Sequence, residues 1–208
     1  EGVYTFWTLE DAQKVAATVK GTPRAVLIGA GFIGFIVLNA MSKIGWELSV
    51  VEAESQILPR MLDVTGASAV NGWLTSHGVS VHTGAQVQRI VREGTTLELA
   101  LSNETKMEAD LVILATGIRP NLDFLAGSGI ETDAGILVNE RMETNIPGIY
   151  AAGDVAAGPD LLGGAPAVHA IQPTAVDHGR IAGANMAGTA TQYPGSLSLN
   201  VLDVINLH

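Results

Sequence analysis

The sequence predicts an α/β fold built around a parallel sheet. From Arg24 onward, short apolar segments alternate with segments of helical character, and glycines stand where the helices should end. The segment "LVILA" at 111–115 is apolar throughout, as is typical of a strand buried on both faces of a parallel sheet. Because 47% of its 208 residues are hydrophobic, the chain can form a substantial core.

The first predicted element is a short helix. Thr8 is its expected N-cap, Asp11 follows three residues later, and Gly21 lies beyond its end. A βαβα run follows, with strand 25–29 ("AVLIG"), helix 32–44, strand 46–52 ("WELSVVE") and a helix at about 63–77. Such a run implies a parallel sheet covered by helices.

Two alternating segments, 85–94 ("AQVQRIVREG") and 95–103 ("TTLELALSN"), predict an antiparallel hairpin before the chain returns to the parallel sheet at 111–115. We therefore expect a Rossmann-like, three-layer nucleotide-binding domain over residues 1–120. Its first 22 residues form an entry linker and helix.

Residues 121–190 are richer in glycine and carry fewer predicted elements. These are the strand 135–139 ("GILVN"), a second strand at 148–153 ("GIYAAG") and a helix at about 173–187. Because so few elements cannot form a complete core, we expect part of a second domain here. Residues 191–208 are expected to be a tail that leads to a further region, so the sequence is interpreted as a piece of a longer polypeptide.

The composition excludes several classes of function. Acidic residues outnumber basic ones 21 to 11, giving a net charge of −10, which argues against a nucleic-acid partner. The absence of cysteine excludes dithiol chemistry, thiolate zinc sites and cysteine-ligated iron-sulfur clusters within these residues. The five histidines show no metal-ligand spacing, so no metal site is predicted.

The apolar stretch 25–42 allows an alternative interpretation as a short membrane span. Its glycines, however, fall where a strand should turn into a helix, and Asn39 interrupts the run. A strand, loop and helix are therefore favoured, without a membrane partner. No targeting segment is visible, so a cytoplasmic location is expected.

The loop "GAGFIG" at 29–34 is predicted to bind the pyrophosphate of a dinucleotide. Gly29 should permit the tight turn after the strand, Gly31 should let the backbone approach the phosphates, and Gly34 should let the helix lie close to the sheet. The first helical residues, Phe32 and Ile33, would add free N–H groups and the positive end of the helix dipole.

Glu52, at the end of the next strand, is predicted to select the dinucleotide. Its carboxylate can accept hydrogen bonds from the adenosine ribose hydroxyls, whereas it would repel a 2′-phosphate. The following residues, "AESQ" at 53–56, contain no Arg or Lys to receive such a phosphate. NAD(H) is therefore favoured over NADP(H). The alternative is that Glu52 is only a solvated residue at a strand end.

Two later motifs, "ATGIRPN" at 115–121 and "TNIPGIYAAGDV" at 144–155, add a family resemblance. Together with the glycine loop and "VVE", they resemble the FAD-dependent pyridine nucleotide-disulfide oxidoreductases, especially the NADH-dependent ferredoxin- and rubredoxin-reductase-like members. In that family an NAD domain is inserted into an FAD domain. The resemblance implies that Gly117, Gly153 and Asp154 contribute to cofactor binding.

The same resemblance implies hydride transfer from NADH to FAD, followed by electron delivery to an acceptor protein or small molecule. No side chain is assigned as catalytic, because the cofactors carry the reaction. The segment "AIQPTAVDHGR" resembles the family helix whose N-terminus faces the flavin. Pro173 in its first turn is expected to leave the amides of Ala175 and Val176 free for that role.

The sequence departs from the family pattern in two places. The family's own FAD glycine loop lies upstream and is absent here, so we expect this chain to bind FAD weakly or not at all. Ile36 stands where many relatives have a Glu near the nicotinamide, so we expect altered placement of that ring only. A non-catalytic NADH-binding or sensing module is the alternative function. A homodimer is expected by analogy with relatives.

Overall fold

The computed structural model describes residues 2–18 and 21–207, and the chain divides into two compact units. Unit 1 comprises Glu1–Gly117 together with Val201–His208, and unit 2 comprises Ile118–Asn200. Unit 1 contains the glycine loop and Glu52, whereas unit 2 contains the Gly153-Asp154 motif.

Unit 1 is built on two sheets. In chain order its elements are β1 (Val3–Thr5), α1 (Leu9–Thr18), β2 (Arg24–Ile28), α2 (Phe32–Lys43), β3 (Glu47–Val51), α3 (Val64–Ser76), β4 (Ser80–His82), β5 (Val87–Glu93), β6 (Thr96–Leu101), β7 (Lys106–Ala109) and β8 (Leu111–Leu114). One sheet has five strands in the order β1-β8-β2-β3-β4, and every neighbouring pair is parallel. The other has three antiparallel strands in the order β5-β6-β7.

The parallel sheet is buried on both faces, which explains why its strands are apolar without alternation. In β2, Ala25 and Leu27 pack with residues of α2 and α3, whereas Val26 packs on the opposite face against Leu97 and Leu99 of the antiparallel sheet. Helices, parallel sheet and antiparallel sheet therefore form three layers. The predicted fold class is confirmed.

The antiparallel layer is larger than predicted. The expected hairpin has a third strand, β7, whose Met107 pairs with Leu99 of β6. Its four residues, "KMEA", are too short for their alternation to stand out in the sequence. Strand β1 pairs in parallel with β8 at the edge of the main sheet, and it too was not predicted from the sequence.

The predicted helix ends agree closely with the structure. The Asp11 amide donates to Thr8 Oγ1 over 3.2 Å, and the Thr8 amide donates to Asp11 Oδ2 over 3.1 Å, so the expected cap forms at the start of α1. Asp63, predicted as the first residue of α3, is instead its N-cap and accepts the Gly66 amide at 2.8 Å.

Unit 2 has little regular structure. Its elements are β9 (Ile136–Leu137), β10 (Ala156–Ala157) and α4 (Gln172–Met186), with 3₁₀ turns at Asp123–Leu125 and Gly153–Val155. The predicted strand at 148–153 was wrong, because the only β-bridge in that described segment is the isolated one between Tyr150 and Glu143, with backbone hydrogen bonds of Ile149 and Ala151 on either side of it. The strand that pairs in parallel with β9 lies further along, at β10.

His178 lies on the buried side of α4 and is only 1% exposed. Its ring packs edge-on against Tyr193, with centroids 4.7 Å apart, and neither ring nitrogen has a hydrogen-bond partner among the described residues. Burial lowers the pKa of this imidazole below its ordinary value of 6.5. The nearby Asp177 raises the pKa, and His169 lowers it further.

We expect unit 2 to lose stability as the pH falls below about 6.5. The unfolded chain, with the ordinary His pKa, binds a proton before the folded chain does, so the free energy of unfolding decreases until the folded pKa is passed. Melting temperatures at pH 7.5, 6.5 and 5.5 measure this slope, and His178→Phe should flatten it. His77→Phe, at an exposed helix end, is the control and should keep the wild-type slope. An unchanged slope in His178→Phe would contradict the assignment.

The last residues of the chain belong to unit 1. Asp203 Oδ2 accepts the Asn39 side-chain amide of α2 at 3.0 Å, and the Trp73 indole of α3 donates to the carbonyl of Val204 at 3.1 Å. Val204 is 4% exposed and belongs to the main core of the unit. Residues 201–207 thus return to the helical layer after unit 2.

Candidate functional site

The glycine loop joins β2 to α2, and its first glycine is required by the fold itself. Gly29 has a backbone φ of +102°, which residues other than glycine rarely adopt. A Cβ at this position would also overlap the carbonyl oxygen of Ala115, which follows β8. The Gly29 amide donates to the Val51 carbonyl at 2.8 Å, so the turn is fixed at the end of the sheet.

Gly34 packs closely for a different reason. A Cβ on this residue of α2 would overlap the carbonyl oxygen of Gly29, so a larger residue would require the helix to shift away from the preceding turn. Gly34 is itself buried, as the predicted close packing of helix on sheet demands.

Gly31 differs from both neighbours, because nothing in the protein requires glycine there. Its φ of −87° and ψ of −174° are extended values open to any residue, and a Cβ would meet no atom within 4 Å. The space above this residue is therefore empty of described protein atoms. A glycine without a structural reason at the N-cap of α2 fits a ligand that must approach the backbone.

The first turn of α2 presents amides toward the loop. The helix begins at Phe32, and the first intrahelical acceptor is the Gly31 carbonyl, which receives the Phe35 amide at 3.1 Å. The amides of Phe32, Ile33 and Gly34 precede that bond and have no partner within the helix. No acidic side chain lies within this turn, so the helix itself places no negative charge at the positive end of its dipole.

Glu52 is buried beside this loop rather than solvated. It is 8% exposed, its Oε2 accepts the Ala30 amide at 2.6 Å, and its Oε1 accepts the Glu54 amide at 2.9 Å. A carboxylate has about four acceptor positions, so about two remain for further donors. The carboxylate therefore both braces the glycine loop and retains capacity for ribose hydroxyls.

The Glu52 brace was not foreseen from sequence. The same is true of a second bond to the loop, in which the Leu58 amide donates to the Ala30 carbonyl at 2.9 Å. The backbone N–H and C=O of Ala30 are thus both hydrogen-bonded to the segment that follows β3. An acid at the end of β3 is a visible signal in the sequence, whereas Leu58 gives none.

Two other predicted residues of unit 1 lie at exposed positions. Gly117 follows β8, has a φ of +99°, and a Cβ there would meet no atom within 4 Å. Ile36, where a Glu was expected from relatives, is 47% exposed on α2. The structure supplies no polar replacement for that Glu at this position of the helix.

In unit 2 the Gly153-Asp154 motif lies against the first turns of α4. Gly153 has a φ of +78°, and a Cβ there would lie 3.6 Å from the Cβ of Ala175. Asp154 is exposed in the 3₁₀ turn, so its carboxylate is free to meet a ligand. Two motifs that are distant in the sequence are thereby brought together, which fits the chemistry expected of a flavin site.

The expectation that the Ala175 amide is free was wrong. Helix α4 begins at Gln172, and the Ala175 amide donates to the carbonyl of its N-cap, Ile171, at 3.0 Å. The first-turn amides without an intrahelical acceptor are those of Gln172 and Thr174, since Pro173 has none. Val176 lies one position further into α4, beyond the first-turn residues whose amides lack an intrahelical acceptor, so the expectation of a free amide was wrong for Val176 as well.

The described part of the chain contains no group of His, Asp or Glu residues that could hold a metal ion. Among residues 2–18 and 21–207, no helix is both long and apolar enough to cross a bilayer. The apolar stretch 25–42 is divided instead among β2, the glycine loop and α2.

Comparison with known proteins identifies the family. The family model for the pyridine nucleotide-disulphide oxidoreductases matches residues 1–179. The chain belongs to this family. Its members are oxidoreductase enzymes that use FAD and NAD(P)H, as the resemblance of the motifs implied.

Individual pyridine nucleotide-disulphide oxidoreductases resemble nearly the whole chain. The epsilon subunit of the NADH-dependent phenylglyoxylate dehydrogenase of Aromatoleum evansii is 34% identical over 203 residues, covering 97% of this chain and 48% of that protein. The NAD-dependent persulfide reductase of A. fulgidus is 32% identical with a TM-score of 0.91, covering 98% of this chain and 38% of that one. The chain thus spans less than half of either relative.

A third relative has solved structures in two forms, each bound to a different nucleotide. The water-forming NADH oxidase of Lactobacillus brevis, bound to NADH, has a TM-score of 0.86 and 27% identity, covering 93% of this chain and 43% of that one. An engineered form of that enzyme is an NADPH oxidase bound to NADPH. It differs by five substitutions, of which the first replaces a Gly with Ala and the second replaces an Asp, eighteen residues later, with Ala. The two residues directly after that Asp change from Ala to Arg and from Met to Ser, and a Pro seven residues after the Asp changes to Arg.

Proposed function

We propose that this chain is the NADH-binding part, with some of the flavin-binding part, of a flavoprotein oxidoreductase. In the whole protein the reaction is hydride transfer from NADH to FAD, with the electrons passed to a separate acceptor. When bound, FAD supplies the redox chemistry. The residues of this chain bind and orient the two cofactors and limit access of water.

The open space at Gly31 beside the buried carboxylate of Glu52 is the observation that carries the proposal. Two of the three loop glycines are explained by protein contacts, and Gly31 is not. A pyrophosphate above Gly31 would meet the unpaired amides of Phe32 and Ile33. From there an adenosine ribose can reach the remaining acceptor positions of Glu52, which is fixed to Ala30 at the loop.

The preference for NADH over NADPH is supported by Glu52 and by the engineered oxidase. The spacing of its five substitutions matches Gly34, Glu52, Ala53, Glu54 and Pro59 of this chain, and the glycine, the acid, the alanine and the proline also match in type. Four of these positions here hold residues like those of the NADH-dependent parent, and the fifth holds Glu54 instead of Met. The exposed residues 53–55 that follow Glu52 carry a further carboxylate, on Glu54, and no cation, and the first cation after Glu52 in the sequence is Arg60.

For the flavin, Gly153 and Asp154 would act together with the first turn of α4. The exposed carboxylate of Asp154 would accept hydrogen bonds from ligand hydroxyls, and the positive end of α4 would favour negative charge on a reduced ring. Because the Ala175 amide is bonded, the amides of Gln172 and Thr174 are the better candidates at this helix end.

Calorimetric titration of the chain with NADH and NADPH tests the nucleotide part of the proposal. Wild type should bind NADH more tightly than NADPH. Glu52→Ala should weaken the binding of NADH by about tenfold, or ~1.4 kcal/mol, and narrow the difference in affinity between the two nucleotides. The Lys106 partner Glu98 provides a matched acid, so Glu98→Ala should leave both affinities unchanged. Equal affinity of wild type for the two nucleotides would contradict the proposal.

The flavoprotein part is tested separately on the longer polypeptide. We expect that protein to contain FAD and to lose flavin absorbance under anaerobic conditions when NADH is added. NADH binding without flavin uptake would instead support the sensing module. The relatives named above include an oxidase and a persulfide reductase, so acceptors of both classes should be tested with the reduced protein.

A further inference from the structure

Leu58 has an unusual backbone conformation for its residue type and position. Its φ is +49°, a value that residues other than glycine rarely adopt, and it is 3% exposed within the main core of unit 1. Leu58 also directly precedes Pro59, and a residue before proline is normally restricted to extended backbone. Such a conformation persists only where the surrounding structure enforces it.

Hydrogen bonds enforce the conformation from both sides of the residue. The Leu58 amide donates to the Ala30 carbonyl of the glycine loop at 2.9 Å. The Leu58 carbonyl accepts the amides of Met61 and Leu62 at 2.9 and 3.0 Å, which closes a tight turn after it. The buried side chain therefore anchors a turn that is tied directly to the candidate pyrophosphate loop.

The segment 53–59 is also fixed at its other end. The Glu54 amide donates to the Glu52 carboxylate at 2.9 Å, and the Glu54 carbonyl accepts the Gly84 amide at 2.7 Å. Ala53, Glu54 and Pro59 are all exposed, whereas Leu58 between them is buried. These exposed residues occupy the positions that were changed in the engineered NADPH oxidase.

We propose that Leu58 is a positioning residue for dinucleotide selection, because its buried side chain and strained backbone hold the segment 53–59 against the glycine loop. The inference rests on the proposed NADH site and adds a residue that does not touch the nucleotide. With the segment held, the carboxylates of Glu52 and Glu54 stay close to the ribose and disfavour a 2′-phosphate. With the anchor removed, the segment can move away and this discrimination weakens.

The test compares affinities for NADH, NADPH and ADP-ribose in Leu58→Ala and wild type. In Leu58→Ala the affinities for ADP-ribose and for NADH should each fall by about tenfold, whereas the affinity for NADPH should fall less. The ratio of NADH affinity to NADPH affinity should therefore narrow by severalfold. Leu74→Ala is the matched control, since Leu74 is a fully buried leucine of the same core on α3. It should lower thermal stability and leave the affinity ratio at the wild-type value.

Two further variants keep the test decisive. Leu58→Met retains a long apolar side chain and should keep the wild-type affinity ratio. Leu58→Gly accommodates the positive φ but lacks the buried side chain, so it should narrow the ratio. This variant provides the test if Leu58→Ala fails to fold. A wild-type ratio in Leu58→Ala or Leu58→Gly, or an equal change in Leu74→Ala, would overturn the inference alone. Wild type without NADH affinity would overturn the proposed function, and this inference with it.

Discussion

Gly31→Val is expected to abolish measurable NADH binding while leaving the fold intact. A Cβ at Gly31 meets no protein atom within 4 Å and the backbone is in a region open to valine, so the protein itself accommodates the change. The branched side chain would occupy the path of the pyrophosphate. We expect a loss of affinity of a hundredfold or more, roughly 3 kcal/mol, against a change in unfolding free energy of about 1 kcal/mol or less.

Calorimetry and thermal melting of the same preparations measure the two effects. Gly72→Val is the matched control, since Gly72 lies in α3 of the same unit and a Cβ there also meets no atom within 4 Å. It should leave NADH affinity unchanged. Gly34→Val, unlike Gly31→Val, should strongly lower the free energy of unfolding, because its Cβ would overlap the Gly29 carbonyl. Retained NADH binding in Gly31→Val would remove the basis for the site.

A combined change at four positions of the segment after β3 is expected to invert the nucleotide preference. The variant carries Glu52→Ala, Ala53→Arg, Glu54→Ser and Pro59→Arg. It removes two carboxylates that would repel a 2′-phosphate and adds two guanidinium groups that can bind one through paired hydrogen bonds. We expect NADPH to bind about tenfold more tightly than NADH in this variant, a reversal of the wild-type order.

Affinities for both nucleotides at two salt concentrations provide the measurement. The gain for NADPH should shrink at high salt, because exposed charges are screened. Glu93→Arg combined with Glu104→Arg is the control, since it changes the net charge by the same amount at exposed positions of the antiparallel layer. If the control raised NADPH affinity equally, overall charge rather than the local segment would determine selectivity.

Features that depend on neighbouring residues in the sequence could be predicted. The cap of Thr8 and Asp11, the β-strand pattern of β2 and β3, and the glycine loop all follow from short-range periodicity and residue type. The strongest example is the order of the loop glycines, because steric conflicts at Gly29 and Gly34 and their absence at Gly31 agree with the roles assigned from spacing.

Features that depend on distant contacts could not be predicted. Strand β7 is stabilised by pairing with β6 rather than by its own four residues, and the segment 148–153 looks like a strand but forms only one isolated bridge. The positive φ of Leu58 opposes the local preference before Pro59 and arises from its bond to Ala30. The bonded amide of Ala175 was missed because helix α4 starts one residue earlier than predicted.

The return of residues 201–207 to α2 and α3 has a consequence for synthesis of the chain. Unit 1 is discontinuous, so its helical layer cannot acquire Val204 or the acceptor for the Trp73 indole until all of unit 2 has left the ribosome. Until then the apolar residues that pack with Val204 in the core of unit 1 stay exposed in the nascent chain, a state in which aggregation competes with folding. The loop that unit 2 forms between the two parts of unit 1 carries an entropic penalty that grows only logarithmically with its length, so the long separation in sequence adds little to the cost of completing unit 1.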